Sequence, residues 1–261
     1  MRFAVVGDPV DHSLSPTIHR AAYHALSLPH EYTALRTGED AFDGVIRALA
    51  IGDLNGVNVT MPLKDAAFRG CAARSASAER TRAVNTVTVD ASSITGDNTV
   101  VDGVIFAART LDIPQDTPVT VLGSGGAARA ALVAMEEREV HVVARTREKA
   151  ARALAVTGVA GTIGTWDEEI SESLVVNATP IGMTAEDECL PESIMGRAYA
   201  LVDMAYGHGP TKAVERVSGA GRPVADGITM LVGQAVRAFE LFTGQPAPTD
   251  VMMTAARLAA S

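Results

Sequence analysis

Short apolar or β-branched runs alternate with helically spaced apolar positions along almost the whole chain. Phe3 to Val6, Glu31 to Leu35 and Gly56 to Thr60 have strand character, while Pro16 to Leu26 and Ala41 to Ala50 have helical spacing, with Val45, Ile46 and Leu49 on one stripe. This alternation predicts βα units and a parallel sheet, the α/β class. Ser15-Pro16 predicts a helix N-cap followed by proline at the first helical position. Ala83 to Asp90 and Ser93 to Gly96 predict a hairpin. After Gly96 the pattern restarts with a helix over Gly103 to Leu111, broken by Pro114, and then strand, glycine turn, helix and strand from Pro118 to Ala144. Further strands are predicted at Leu174 to Asn177, Ala200 to Asp203 and Arg222 to Ala225. The tail differs: Met230 to Phe242 and Asp250 to Ala260 read as two helices with no strand between them, an arrangement that packs back onto an earlier domain.

Composition narrows what such a chain does. At 261 residues, 47% hydrophobic and 20% charged, it has the balance of a soluble protein with two modest domains. A net charge of -9 with no basic stripe argues against nucleic acid, so any bound phosphate has to be captured locally. Cys71 and Cys189 lie far apart and outside any CxxC pair, which suits a reducing cytoplasm and offers no metal site. No run approaches the length of a membrane span, and the opening apolar run is too short for a signal peptide.

Local phosphate capture is written at Gly123-Ser124-Gly125-Gly126-Ala127-Ala128, a G-x-G-x-x-A spacing directly after a strand and opening a helix. The first glycine permits a tight turn, the second lets backbone approach a pyrophosphate, and Ala128 allows close helix packing. The helix N-terminus then offers free N–H groups and the positive end of its dipole. An NAD site ends the next strand with an acidic residue. Here the strand ends in Arg145-Thr146-Arg147-Glu148-Lys149, a planar fork, a hydroxyl and further cations. That set suits a 2′-phosphate and predicts NADP, with Arg145 and Thr146 as its main contacts.

Across essentially its whole length the chain resembles the shikimate dehydrogenase family. Gly7-Asp-Pro-Val-Asp-His12-Ser13-Leu-Ser15-Pro-Thr-Ile-His19 is similar to the family's G-x-P-x-x-H-S-x-S-P-x-x-H segment, and Asn58-Val-Thr60-Met-Pro-Leu-Lys64 to its N-V-T-x-P-x-K element. Ala83-Val-Asn85-Thr matches A-x-N-T, Asn177-Ala-Thr179-Pro-Ile-Gly-Met183 matches N-A-T-P-x-G-M, and Asp203-Met204-Ala-Tyr206 and Gly227-Ile-Thr-Met-Leu-Val-Gly-Gln234 match D-x-x-Y and G-x-x-M-L-x-x-Q. The resemblance implies a substrate domain over 1–99, completed by about 227–261, and a Rossmann-type NADP domain over 100–226. It implies reversible NADPH-dependent reduction of 3-dehydroshikimate to shikimate, in aromatic amino acid and chorismate biosynthesis, by a cytoplasmic monomer or homodimer. It also assigns roles: Lys64 as catalytic acid/base; Ser13, Ser15, Thr60, Asn85, Tyr206 and Gln234 on the substrate; Met204 and Gly227 near the cofactor beside the glycine turn, Arg145, Thr146 and Lys149.

The chemistry agrees with elementary expectation. A carbinol oxygen has to exchange a proton with a positioned group while hydride moves. Lys64, predicted near the start of a helix, meets a dipole end and partial desolvation that lower its pKa. His12 and His19 are expected to make structural hydrogen bonds. One position departs. Gly96-Asp-Asn-Thr99-Val100-Val-Asp102-Gly103 matches the family's G-x-N-T-D-x-x-G except that Val100 stands where the family has aspartate. The resemblance gives that aspartate the task of bonding the reacting hydroxyl and holding the lysine, so valine removes an acceptor and a counter-charge. Asp102 replaces it only if the turn is irregular, because two helical residues rotate a side chain by roughly 200°. A slowed enzyme, a homologue that binds NADP or a cyclic hydroxy acid without turnover, and a quinate/shikimate enzyme all remain open at this point.

Overall fold

The computed structural model describes residues 1–90, 93–183, 189–207 and 209–260. The chain divides into two units: Met1–Thr99 with Gln234–Ala259, and Val100–Gly233 with Ala260.

The first unit runs β1 (Arg2–Gly7), α1 (Ser15–Ala25), β2 (Glu31–Arg36), α2 (Phe42–Ala50), β3 (Gly56–Val59), α3 (Lys64–Gly70), β4 (Ala73–Arg74), α4 (Ala76–Thr81), β5 (Thr86–Asp90) and β6 (Ser93–Asp97). These form one six-stranded sheet in the order β2-β1-β3-β5-β6-β4. The βα repeats make β1, β2 and β3 parallel, while β5 runs antiparallel to β3 and forms the hairpin with β6. Phe3, Ala4, Val5 and Val6 of β1 are all buried, as a strand flanked by neighbours on both edges requires. Ser15 is the first helical residue of α1 and not its cap. The cap position falls on Leu14, and the side chain that accepts is Ser13, whose Oγ takes the Ser15 N–H at 3.3 Å. The proline displaced the expected boundary by one residue: it sits within the first helical turn but not at its first position.

His19 overturns another expectation. It is wholly buried, stacked on Tyr32 with centroids 4.3 Å apart and planes 6° from parallel, and it touches Tyr23, Phe239 and Phe242. Neither ring nitrogen has a hydrogen-bond partner among the described residues, so the ring serves as an aromatic packing piece. His12 is exposed and makes no hydrogen bond among them either. Burial lowers the His19 pKa from 6.5 to about 3. Between those values the unfolded chain binds a proton that the native state refuses. Native stability therefore falls as pH drops through this window, by about 1.4 kcal/mol per pH unit at the steepest. Urea melts at descending pH are expected to show that slope in the wild type and a shallower one in His19→Leu; parallel slopes would assign it to another group.

The second unit runs α5 (Val100–Arg109), β7 (Val119–Leu122), α6 (Gly126–Ala134), β8 (Val140–Ala144), α7 (Arg147–Thr157), β9 (Thr162–Thr165), β10 (Ser173–Asn177), α8 (Glu192–Met195), β11 (Ala198–Asp203), α9 (Lys212–Gly219) and β12 (Val224–Ala225). Its sheet, β12-β11-β10-β7-β8-β9, is parallel throughout. Alternate residues of β10 and β11 enter opposite apolar clusters: Leu174, Val176, Ala200 and Val202 join one with α5 and α6, while Val175 and Leu201 join another with α8. Helices thus cover both faces, which is why these strands read as continuous apolar runs. Trp166, the chain's one tryptophan, packs against the second of these clusters.

Two helices finish the chain, α10 (Gly227–Thr243) and α11 (Thr249–Ala260). The first unit takes α10 only from Gln234, not from about 227, because Met230 is buried in the α5–α6 cluster and Gly233 packs on Phe106. Downstream, Phe242 stacks on Phe3 at 4.7 Å. Among the described residues no helix is long and apolar enough to cross a membrane.

Candidate active site

In the second unit the order of strands reverses between β7 and β10, the crevice where open parallel sheets bind ligands. β7 ends at Leu122, and Gly123 turns the chain at φ 116°, a left-handed backbone that a side chain resists. A Cβ there would also lie 3.0 Å from the Ala178 carbonyl at the end of β10. Ser124, Gly125, Gly126 and Ala127 follow at or near the surface, and Ala128 is buried where α6 meets the sheet. Gly125 caps α6 without a side-chain hydrogen bond, so among the described residues no capping side chain claims the helix's first N–H groups at this end.

At the end of β8, Arg145 is exposed and pairs with no carboxylate among the described residues. Thr146 caps α7, its Oγ1 accepting the Lys149 N–H at 3.4 Å, and the Lys149 side chain is exposed. Arg147 is engaged elsewhere, bonded to Glu168 at 2.5 Å and to the Ile163 carbonyl at 3.0 Å. That contrast separates one free fork from one structural fork within three residues.

The loop after β10 is braced from below. Asn177 donates to Asp203 (2.8 Å) and to the Ile181 carbonyl, and its Oδ1 accepts from the Thr179 N–H and hydroxyl. Asp203, wholly buried, also accepts from Thr211 and from the Ala205 N–H; burial raises its pKa against those bonds. Asn177 and Asp203 had no role in the sequence reading beyond their motifs, and Thr211 stood in none of them. Met204 is buried in the α5–α6 cluster, and Gly227 opens α10 where a Cβ would come within 2.3 Å of the Ala205 carbonyl. Tyr206 is half-buried, and desolvation raises its phenol pKa.

The remaining residues belong to the first unit. Thr60 follows β3, its carbonyl accepting the Leu63 N–H, and Lys64 begins α3. The Lys64 carbonyl accepts the Val84 N–H at 3.3 Å, which places the lysine backbone one residue from Asn85. Its side chain is half-buried, and desolvation lowers the ammonium pKa below its ordinary 10.5. Among the described residues no carboxylate pairs with it.

Asn85 is 5% exposed and fully engaged. Its Oδ1 accepts the Thr99 N–H at 2.7 Å, and its Nδ2 donates to Thr99 Oγ1 and to Gln234 Oε1, each at 3.1 Å. Behind it, the buried Tyr32 phenol donates to Asn58 Oδ1 at 2.6 Å and Asn58 Nδ2 donates to Thr86 Oγ1 at 2.9 Å. Tyr32, Thr86 and Thr99 were not anticipated. Asn58 and Thr99 stand inside recognisable motifs, but Tyr32 looks like an ordinary strand residue. Ser13 and Ser15 lie half-buried at the entry to α1.

Val100 is 5% exposed and joins the apolar cluster of α5 and α6. α5 is regular from Val100 onward, three residues earlier than the sequence predicts, so Asp102 is turned by roughly 200° from it. The irregular turn that a replacement by Asp102 requires does not exist.

A family model of the shikimate dehydrogenase substrate binding domain matches residues 5–87, and one of the shikimate 5'-dehydrogenase C-terminal domain matches residues 227–257. A shikimate dehydrogenase (NADP(+)) of Natronomonas pharaonis is 35% identical over 98% of both chains, and one of Thermus thermophilus is 37% identical over 99% of this chain and 98% of its own. Among solved structures, a shikimate 5-dehydrogenase of Thermus thermophilus, in complex with NADP(H) and shikimate, has a TM-score of 0.90 at 35% identity over 99% of both chains. The Mycobacterium tuberculosis shikimate dehydrogenase has a TM-score of 0.87 at 32% identity over 98% of this chain and 99% of its own. A 5-ketofructose reductase of Gluconobacter shares the fold at 23% identity and a TM-score of 0.90. With the motifs, the reversed strand order and near-complete coverage at these identities in agreement, the chain belongs to the shikimate dehydrogenase family.

Proposed function

We propose that the protein catalyses the reversible NADPH-dependent reduction of 3-dehydroshikimate to shikimate, a step toward aromatic compounds. The observation that carries this reading is Lys64: a half-buried lysine at a helix start, with its pKa lowered by desolvation and no carboxylate bound to it, next in the chain fold to an ordered amide pair. Such a group gives a proton to a carbonyl oxygen in one direction and takes it back in the other. Ser13 and Ser15 hold the substrate carboxylate, and Thr60, Asn85, Tyr206 and Gln234 position the ring. The glycine turn at 123–127 takes the pyrophosphate of NADP on free N–H groups, and Arg145, Thr146 and Lys149 take its 2′-phosphate; Met204 and Gly227 border the nicotinamide half. NADPH supplies the hydride when bound.

Turnover of shikimate with NADP, followed by NADPH absorbance, tests the reading. Binding of both ligands with no turnover above background at high enzyme concentration would overturn it. That second reading, a binding protein of the same family, is favoured by two observations: among the described residues Lys64 has no acidic partner, and Val100 lies in an apolar cluster.

Cofactor choice has a separate test. An exposed fork without a carboxylate to leave is free for a phosphate, so Arg145→Ala is expected to raise the KM for NADP roughly tenfold or more while changing that for NAD little. Equal changes would remove Arg145 from the 2′-phosphate site. The same cluster argues against a quinate enzyme that uses NAD.

A further inference from the structure

We propose that Tyr32 is a positioning residue for the substrate: its buried phenol fixes the direction of a hydrogen-bond chain that ends on the Asn85 and Gln234 amides. The proposal rests on the reading above for its substrate.

The direction of the chain follows from groups that can only give or only receive. The Thr99 N–H donates to Asn85, so the atom it meets is the carbonyl oxygen, and Asn85 Nδ2 faces Thr99 Oγ1 and Gln234 Oε1. The Asn85 backbone carbonyl only accepts, so the Asn58 atom 3.5 Å from it is Nδ2, which also reaches Thr86 Oγ1 at 2.9 Å. Asn58 Oδ1 therefore faces Tyr32, whose phenol gives its single proton at 2.6 Å. Thr86, having received from Asn58, passes its own proton to Asn85 Oδ1 at 3.2 Å or to Thr99 Oγ1 at 3.1 Å. Every amide in the chain is thereby held in one of its two flips.

Two consequences follow. Gln234 Oε1 already accepts from Asn85, which fixes its amide flip and leaves the half-buried glutamine two N–H donors and one oxygen lone pair to offer. The N–H₂ group is the part of this side chain that can meet a ring oxygen by its lone pairs. And Tyr32, which lies wholly buried and stacked on His19, gives its proton to Asn58 and meets the Ser15 side chain at the same oxygen. Without the phenol, Asn58 Oδ1 loses its donor and the amide is free to reverse; Thr86 then turns its proton, and Asn85 loses the support that aims it.

A matched control stands beside it. Tyr23 is buried in the same aromatic cluster, yet its hydroxyl has no partner among the described residues. In Tyr32→Phe the KM for shikimate is expected to rise roughly tenfold, equivalent to about 1.4 kcal/mol, with kcat and the KM for NADP within about twofold. Tyr23→Phe is expected to leave all three within about twofold. With Ser15→Ala present throughout to remove its contact with the phenol, the Tyr32→Phe effect should shrink to under about twofold in an Asn85→Ala background. Equal shifts in both tyrosine variants, no shift in Tyr32→Phe, or effects that multiply in the double variant would each overturn the proposal. A readout without ligand separates it from the function itself. The Asn85 side-chain amide protons, followed by nitrogen-15 NMR, should exchange slowly in the wild type and in Tyr23→Phe and faster in Tyr32→Phe. Fast exchange in the wild type, or no change in Tyr32→Phe, overturns the chain whatever the substrate is. Loss of protection in Tyr32→Phe from a wild type that does not turn over shikimate would uphold the chain and reject the substrate assignment.

Discussion

Replacing Val100 by aspartate is expected to raise kcat for shikimate oxidation on the order of 10²-fold, with little change in KM. The resemblance puts an acid at this position to hold the lysine and to bond the reacting hydroxyl. Position 100 carries no acid, Lys64 pairs with no carboxylate among the described residues, and Asp102 lies roughly 200° round a regular helix from Val100. An interaction made only as the proton moves raises kcat without tightening substrate binding, which is why the change should fall on one constant. It carries a cost in stability. Val100 is 5% exposed in an apolar cluster with Val101 and Val104, so a carboxyl group there loses water and packing together, about 2 to 3 kcal/mol. A lower melting temperature accompanied by a faster enzyme is the expected outcome. An unchanged kcat would mean that Lys64 works without an acidic partner, and that the valine is neutral for the chemistry.

Lys64→Met is expected to lower kcat on the order of 10²- to 10⁴-fold while calorimetric affinity for shikimate changes far less, since the substitution keeps the stem and removes the proton carrier. The pH profile of the unsubstituted protein should carry the same signature. Oxidation of shikimate needs the neutral amine, so its rate rises as pH climbs through the Lys64 pKa and then levels off. Reduction needs the ammonium and falls over the same range. Desolvation moves that midpoint below 10.5, and the midpoint should vanish in the variant. A midpoint that survives in Lys64→Met would assign the proton to another group.

How far the sequence reached depended on whether the signal was local. The strand, glycine turn and helix at 118–130 are specified by neighbours in the chain, and the predicted elements agree with β7 and α6 within a few residues. The return of α10 was visible as a helix without strands, but its handover at Gln234 was not, because the packing of Met230 and Gly233 involves residues about a hundred positions away. The same limit hid the polar chain. Tyr32, Asn58 and Thr86 lie on strands whose pairing brings them together, with Asn85 just ahead of β5, and a tyrosine in a strand carries no mark of the amide it holds. Position at the strand end already favoured Arg145 over Arg147, but the partner that occupies Arg147, Glu168 twenty-one residues beyond it, was not visible in the sequence. His19 failed for a different reason: a polar label was given more weight than the flat ring that the aromatic cluster uses.

The single indole of Trp166 turns the two-unit division into a measurement. Its emission comes from the second unit alone, whereas the four tyrosines are split, Tyr23 and Tyr32 in the first unit and Tyr199 and Tyr206 in the second. Indole fluorescence recorded on an unlabelled sample therefore follows the second unit during unfolding, while far-ultraviolet circular dichroism follows both. By mass action, NADP should delay the fluorescence transition, and shikimate the part of the dichroic transition that the indole does not report. Comparison of the two signals thus tells which half of the chain each ligand stabilises.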